Sequence, residues 1–324
     1  ETSRSLDYGG LAAFAAQLGA YFDVNGVAPG AHVALLLPNG LSATALFLSI
    51  MASGRVVAPL SLVAQRSQLE YVLKHCDPAT VFTNEEHAPL LTELLADDRP
   101  ERVVTVDALR VDNGPWAASS GLDYAHLTPL DSQSIDPDQH ALLMYTSGTT
   151  GMPKGVPLTH RNLLHAARSV ADWHGLTHED RVLSALPLYH INGQVIATLT
   201  PFVSGGSLVA PQKFSVSTWW QSALTWRCTW INMVPTIVAY LLNDADNAPA
   251  VLPRIKFGRS ASAPLPPEQQ RQFETRFGFP IIEAMGMTES ASVVFCNPMD
   301  PERRKIGSPG LPIGVEAKVV DQHG

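Results

Sequence analysis

Residues 145–155 read Tyr-Thr-Ser-Gly-Thr-Thr-Gly-Met-Pro-Lys-Gly. They follow the apolar run Ala141, Leu142, Leu143 and Met144, and they precede Val156, Leu158 and a helix-like stretch over residues 159–170. The local order expected is strand, flexible loop, helix. Gly148, Gly151 and Gly155 let the main chain approach a ligand closely, Thr146, Ser147, Thr149 and Thr150 offer hydroxyls, and Lys154 adds a mobile positive charge. That inventory suits a polyphosphate. It is not the common P-loop pattern, because Pro153 precedes Lys154 and Gly155 stands where a Ser or Thr would follow. The plain alternative is a polar surface loop, but the density of glycines, hydroxyls and a lysine behind an apolar strand favours the phosphate reading.

The rest of the chain alternates strand-like and helix-like runs. Leu11, Phe14, Ala15, Leu18 and Phe22 recur at helical spacing. Residues 33–37 form a short apolar strand stopped by Pro38, Asn39 and Gly40, and residues 41–51 resume as a buried helix. Strands at 56–60, 80–83 and 102–106 alternate with helices near 68–75 and 89–95. Such alternation predicts an α/β fold with helices covering largely parallel sheets. Residues 107–139, punctuated by Asn113-Gly114-Pro115 and Asp136-Pro137-Asp138, read as a long surface connection. Further strands are expected at 182–188, 207–210, 228–231, 254–257 and 280–282, with a half-exposed strand at 315–320, where Val315, Ala317 and Val319 alternate with Glu316 and Lys318.

Composition narrows the function classes. At 324 residues, 45% hydrophobic and 16% charged, the chain is long enough for two or more packed subdomains. A net charge of -8 without a basic run argues against nucleic acid or an anionic membrane as the main partner. Cys76, Cys228 and Cys296 are widely spaced and unpaired in pattern, so neither a disulfide framework nor a zinc site is indicated, and a cytoplasmic location is the default. The longest apolar segment, residues 41–52, is too short to span a bilayer. His174 and His178 have a metal-like HxxxH spacing, but Gly175 lies between them and no third ligand stands out, so a solvated loop is expected.

Three more stretches carry chemistry. Leu-Pro-Leu-Tyr-His-Ile-Asn-Gly-Gln at 186–194 delivers His190 and Asn192 into a turn after a strand. A lone histidine in an apolar turn is commonly a packed group. Gly-Arg-Ser-Ala-Ser-Ala-Pro-Leu at 258–265 puts Ala261, Ser262 and Ala263 after a strand, where a flat ring is able to approach the main chain. Glu-Ala-Met-Gly-Met-Thr-Glu-Ser occupies 283–290. Trp219, Trp220, Trp226 and the segment around Trp230 and Asn232 form either an apolar wall for a ligand or ordinary core.

Together with residues 146–155, these stretches resemble, in order, the motifs of the adenylate-forming superfamily of acyl-CoA synthetases, luciferase-like enzymes and peptide-synthetase adenylation domains. The chain is most similar to the large N-terminal part of an AMP-forming acyl-CoA synthetase. The resemblance implies two helix-flanked, mostly parallel sheets packed together over residues 1–308 and the start of a β-barrel subdomain at 309–324. It also implies ATP, Mg2+ and coenzyme A. Thr146, Ser147, Gly148, Thr149, Thr150, Gly151 and Lys154 would meet the phosphates. Ala261, Ser262, Ala263, Glu283, Ala284, Met285, Gly286 and Thr288 would meet the nucleotide. His190, Asn192, Asn232, Gly258, Ser260 and Gly286 would line the acid pocket, and Thr146 and Glu289 would hold magnesium. Lys154, His190, Thr288 and Glu289 are the expected catalytic set. Met285 departs from the family, which usually places an aromatic ring there against adenine.

The implied reaction joins a carboxylate to the α-phosphorus of ATP, releases pyrophosphate, and then transfers the acyl group to a thiol. No acid stands near His190 to pair with an amine, so a carboxylic acid without an α-amino group is expected. The thiol is that of coenzyme A or of a carrier protein, reached directly or through a separate ligase. A non-catalytic acyl- or nucleotide-binding module is the rival reading, and self-association into a homo-oligomer is left open. The resemblance further implies a small C-terminal lid domain, absent from these residues, supplied by a longer chain or a separate partner.

Overall fold

Short apolar runs become strands, and longer runs at helical spacing become the helices between them, in a computed structural model that describes residues 5–95, 102–107, 110–111, 114–118, 135–147, 152–244, 247, 252 and 254–321. The chain divides into two compact units, Glu1–Arg161 and Asn162–Gly324.

In the first unit the strands β1 (His32–Leu36), β2 (Val56–Pro59), β3 (Thr80–Thr83), β4 (Val103–Thr105), β5 (His140–Ser147) and β6 (Pro153–Thr159) make one sheet in the order β4-β3-β1-β2-β5-β6. Every neighbouring pair is parallel except β5 and β6. The helices are α1 (Tyr8–Val24), α2 (Leu41–Ala52), α3 (Arg66–Cys76), α4 (Ala88–Leu94) and the short α5 (Pro115–Ala118). Asp7 caps α1, its carboxylate accepting the Gly10 amide at 2.7 Å. The central strands β1, β2 and β3 are buried on both faces, apart from His32 at the start of β1, as expected of parallel strands covered by helices.

The described part of residues 107–139 includes a core residue. Trp116, on α5, is buried and packs edge-on against Phe14, Tyr21 and Phe82, while its indole N–H donates to the Val111 carbonyl at 2.6 Å. Gly114 and Pro115 precede it in sequence, which masks a core anchor as a turn. Residues 119–134 of that stretch lie outside the described residues.

The second unit contains α6 (His160–His174, entering from the first unit), β7 (Arg181–Leu183), a π-helix (Asn192–Leu199), α7 (Thr200–Val203), β8 (Ser207–Val209), α8 (Val216–Thr225), β9 (Trp230–Met233), α9 (Pro235–Asn243), β10 (Phe257–Ser260), α10 (Pro267–Phe277), β11 (Ile281–Met287), β12 (Ser292–Cys296) and β13 (Leu311–Pro312). Its sheet runs β13-β12-β11-β10-β9-β7-β8, parallel from β8 to β11 and antiparallel from β11 to β13. Trp219 and Trp220 sit with Phe273, Phe277 and Phe279 in its hydrophobic core, so those tryptophans are core rather than a ligand wall. All three cysteines are free and buried.

Several sequence expectations are corrected. β7 ends at Leu183 rather than 188, and β9 and β10 begin two and three residues later than apolarity suggested. Residues 315–320 form no strand, and Val319 is 102% exposed. Alternation there has no neighbouring strand to pair with, and an unpaired strand leaves its backbone to water.

Replacing Trp116 with Ala is expected to destabilise the first unit by about 3–5 kcal/mol, since it empties an aromatic cluster. Urea unfolding followed by circular dichroism measures this, with Trp173→Phe as a control for loss of an indole in the other unit.

Candidate functional site

In the first unit the phosphate-loop stretch is a β-hairpin, not a strand followed by a loop and a helix. Thr146 lies opposite Lys154, Ser147 opposite Pro153 and Tyr145 opposite Gly155. The flanking residues pair because Val156 and Leu158 alternate with Gly155 and Pro157, a strand period that precedes the helical one. Lys154 is exposed and has no hydrogen bond or ion pair among the described residues, so its ammonium is free to meet an anion. The hairpin is braced by His75, whose Nδ1 lies 2.8 Å from the Tyr145 hydroxyl. A side chain at Gly155 would crowd that brace, its Cβ 3.3 Å from His75 Cε1 and from Leu143 Cδ1. Gly148, Thr149, Thr150 and Gly151 lie outside the described residues, as does the side chain of Ser147.

The second unit gathers its motifs at the C-terminal ends of its parallel strands, where open α/β sheets bind ligands. A tight turn holds His190, with its amide donating to the Pro187 carbonyl at 3.1 Å. Gly193 is required there, because a Cβ would sit 2.4 Å from that same carbonyl oxygen. The turn runs into the fully buried π-helix, a rare geometry that recurs at functional sites. Two threonines stabilise it, Thr198 donating to the Gly193 carbonyl and Thr200 to the Val195 carbonyl, each at 2.9 Å. His190 tilts against Tyr189 with ring centroids 4.8 Å apart. It is exposed, and partial desolvation lowers its pKa, which favours the neutral imidazole.

A chain of amides follows. Asn232 Nδ2 donates to Asn192 Oδ1 at 3.0 Å, and Asn192 Nδ2 donates to the Ser262 hydroxyl at 3.2 Å. Ser262 holds a left-handed backbone with φ +75°, a strained conformation for a residue with a Cβ. Asn192, Asn232 and Ser262, chosen from separate motifs, are thus brought together. Ala261 is buried beside them in sequence and Ala263 is exposed.

Other motif residues divide by strand face. Gly258, Arg259 and Ser260 lie within β10, and Glu283, Ala284, Met285 and Gly286 within β11, not after these strands. Ser260 and Glu283 are register partners, both buried. The Glu283 carboxylate accepts the Leu265 amide at 3.1 Å, while burial raises its pKa. Arg259 pairs with Asn232 and so shares the opposite face with it. A bulge between Met285 and Gly286 shifts the register of pairing with β12, and only glycine fits at 286, since a Cβ would fall 1.5 Å from the Ser292 carbonyl oxygen. Met285 is 44% exposed, open to contact with a flat ring.

Beyond the bulge, Thr288–Ser290 is a single 3-10 turn. The Ser290 hydroxyl ties it down, donating to the Met287 carbonyl at 3.0 Å. The turn presents Thr288 half-buried and Glu289 exposed, with no ion pair on Glu289 among the described residues. No cluster of three or more His, Cys, Asp or Glu able to hold a metal occurs among the described residues. A magnesium ion carried on substrate phosphates needs only one or two carboxylates, and Glu289 fits that demand.

Sequence reading missed His174 and Arg259. His174 is buried, not solvated, stacked on Phe257 with centroids 4.7 Å apart and with Nε2 3.8 Å from Cys296 Sγ. Desolvation, and then the charge of Arg259, push its pKa down to about 3. Its helical register with Leu163, Ala167 and Val170 on α6 was the available signal.

A family model described as AMP-binding enzyme matches residues 1–324. The sulfoacetate--CoA ligase of Cupriavidus necator is 45% identical over 325 residues, covering 100% of this chain and 62% of the relative. The oxalate--CoA ligase of Arabidopsis thaliana is 31% identical, covering 92% of this chain and 59% of the relative. The ATP-bound crystal structure of MatB from Rhodopseudomonas palustris superposes with a TM-score of 0.83 at 26% identity, covering 96% of this chain and 60% of that one. The chain therefore spans about three-fifths of the length of these relatives.

The buried neutral His174 has a testable cost. Its folded pKa of about 3 lies below the unfolded value of about 6.5, so the unfolded state binds the extra proton between them. Its effect is absent above that window, and stability is expected to fall as pH drops through it, by about 1.4 kcal/mol per pH unit. His174→Phe, which keeps the stack without the titration, is expected to flatten the pH dependence of the melting temperature below pH 6. An unchanged acid limb in that variant would assign the acid lability elsewhere.

Proposed function

The chain belongs to the AMP-binding enzyme family, and on that premise we propose that the protein activates a short carboxylic acid with ATP and transfers the acyl group to coenzyme A. In the first step a carboxylate oxygen bonds to the α-phosphorus and the bond to pyrophosphate breaks, leaving an acyl-adenylate. In the second the coenzyme A thiol, losing its proton, attacks the acyl carbon and AMP departs. The observation that carries this reading is the 45% identity, along the whole chain, to a relative named for that class of reaction. Sulfoacetate and oxalate, the acids named for the two relatives, are the first to test, and each carries a second anionic group.

The division of labour follows from charge. A negative nucleophile approaches a negative phosphate, so cations and oriented donors must offset the repulsion. Lys154, with Thr146, Ser147, Gly148, Thr149, Thr150 and Gly151, would neutralise and cradle phosphate oxygens. Thr288 would donate to the α-phosphate. Glu289 would hold a magnesium ion, which would spread phosphate charge. The neutral imidazole of His190 would donate to, or pack beside, the acid without adding a competing charge. Ala261, Ala263 and Met285 would border the adenine.

Thioester formation belongs to the whole protein, with residues 309–324 as the start of a β-barrel subdomain. Cytoplasmic location suits a coenzyme A reaction, and among the described residues no helix is long and apolar enough to cross a membrane.

Pyrophosphate release, measured with ATP, magnesium and a panel of acids, tests the reading. Lys154→Met is expected to lower kcat/KM by about 10²–10³, since it removes a charge facing the reacting phosphates. Glu289→Gln is expected to raise the magnesium concentration required. Full activity of both variants across a magnesium titration would remove these residues from the reaction, and silence of the parent toward every acid would remove the function.

A further inference from the structure

Arg259 is 1% exposed, at the centre of the second sheet, and its Nε and Nη1 have no hydrogen-bond partner among the described residues. A guanidinium carries five N–H donors and stays charged, so its burial calls for an anion. Among the described residues no carboxylate pairs with it. Its charge-bearing neighbour is Cys296, a thiol whose pKa burial pushes up to about 11, leaving it neutral at pH 7. His174, also beside it, is neutral. The carboxylate nearest in register, Glu283, belongs to the row of Ser260 and so to the other face of the sheet, where it accepts the Leu265 amide.

The same face carries a second unsatisfied polar group. Arg259 is the register partner of Asn232, which puts the two side chains side by side on adjacent parallel strands, about 4.8 Å apart at the backbone. Asn232 is wholly buried and its Oδ1 has no partner, while its Nδ2 leads through Asn192 to Ser262 at the open end of the strands. On this face a buried cation and an unpaired amide oxygen are followed by two hydrogen bonds that lead to a hydroxyl at the strand ends. An acid that merely exposed an alkyl tail would leave the guanidinium unpaired.

We propose that Arg259 is a specificity-determining residue that pairs with the second anionic group of the acid, a carboxylate or sulfonate, and that Asn232, Asn192 and Ser262 orient the molecule so that its other carboxylate faces the reaction. The preferred substrates are therefore short dianions, and monoanionic fatty or aromatic acids are rejected because they bury the charge without a partner. This rests on the acid-activation reading.

The test compares sulfoacetate with methylsulfonylacetate, which has nearly the same shape but lacks the second charge. Calorimetry on the full chain without ATP reads binding, and pyrophosphate release reads turnover. The parent is expected to favour sulfoacetate by about ten- to a hundredfold, the range for a hydrogen bond to a charged group. Arg259→Met is expected to abolish that preference, weakening sulfoacetate and relieving methylsulfonylacetate, while KM for ATP stays within about threefold, and Arg259→Lys is expected to restore part of it. The melting temperature of Arg259→Met is expected to be equal or higher, because an unpaired buried charge is removed. Equal binding of the two acids by the parent, or undiminished discrimination by Arg259→Met, overturns the proposal. Should Arg259→Met fail to fold, undiminished discrimination by Arg259→Gln overturns it in the same way. Selective dianion binding without pyrophosphate release would uphold the pocket and sink the acid-activation reading instead.

Discussion

The ends of the second sheet depend on the hydrogen-bonded register that holds β10 between β9 and β11. Arg259 lies opposite Asn232 and Ile282, while Ser260 lies opposite Met233 and Glu283. Because strand side chains alternate, one row collects a cation and an amide and the other collects a hydroxyl and a carboxyl. A slip of one residue would exchange the rows, placing the guanidinium in the aromatic core of Trp220 and Phe273. The glycine at 258 helps forbid that slip, since a Cβ there would stand 2.8 Å from Met233 Cε. Chemistry at this site is therefore a property of backbone pairing before it is a property of side chains.

Strain concentrates where the pairing ends. Ser262 adopts φ +75°, Ala291 φ +53° and Ser292 φ +112°, each a conformation better suited to glycine. These residues flank the motif segments that reach out of β10 and β11. The surrounding order holds them there, through the Asn192 bond at Ser262 and through the close backbone approach between Gly286 and Ser292. Local strain tolerated beside well-paired strands is a common accompaniment of ligand sites.

The alternation of strand and helix was legible because buried parallel strands are short, apolar and bounded by turn residues, as residues 32–36, 56–59 and 80–83 show. The motif residues were legible by type and order. Their placement inside strands was not, because Gly258, Arg259 and Ser260 lack the apolar character by which strands announce themselves. The β6 half of the hairpin was hidden for the same reason, since Pro153, Gly155 and Pro157 disguise an edge strand as a turn. Trp116 was hidden by its Gly-Pro neighbours. The alternation at 315–320 misled in the other direction, because periodicity states what a strand would look like and not whether a partner exists. The apposition of Asn192 with Asn232, forty residues apart, is a tertiary fact that no local pattern contains.

The π-helix at Asn192–Leu199 has one further implication. Its wider turn accommodates a residue that an ordinary α-helix would not, and such a backbone is less well bonded than the α form. A residue removed from an α-helix turns one flank by about 100°, whereas the wide turn absorbs an extra residue locally and leaves the flanks nearly in phase. The segment thus gives up local backbone comfort to hold an extra residue, with Asn192 still aimed at Asn232 and Ser262.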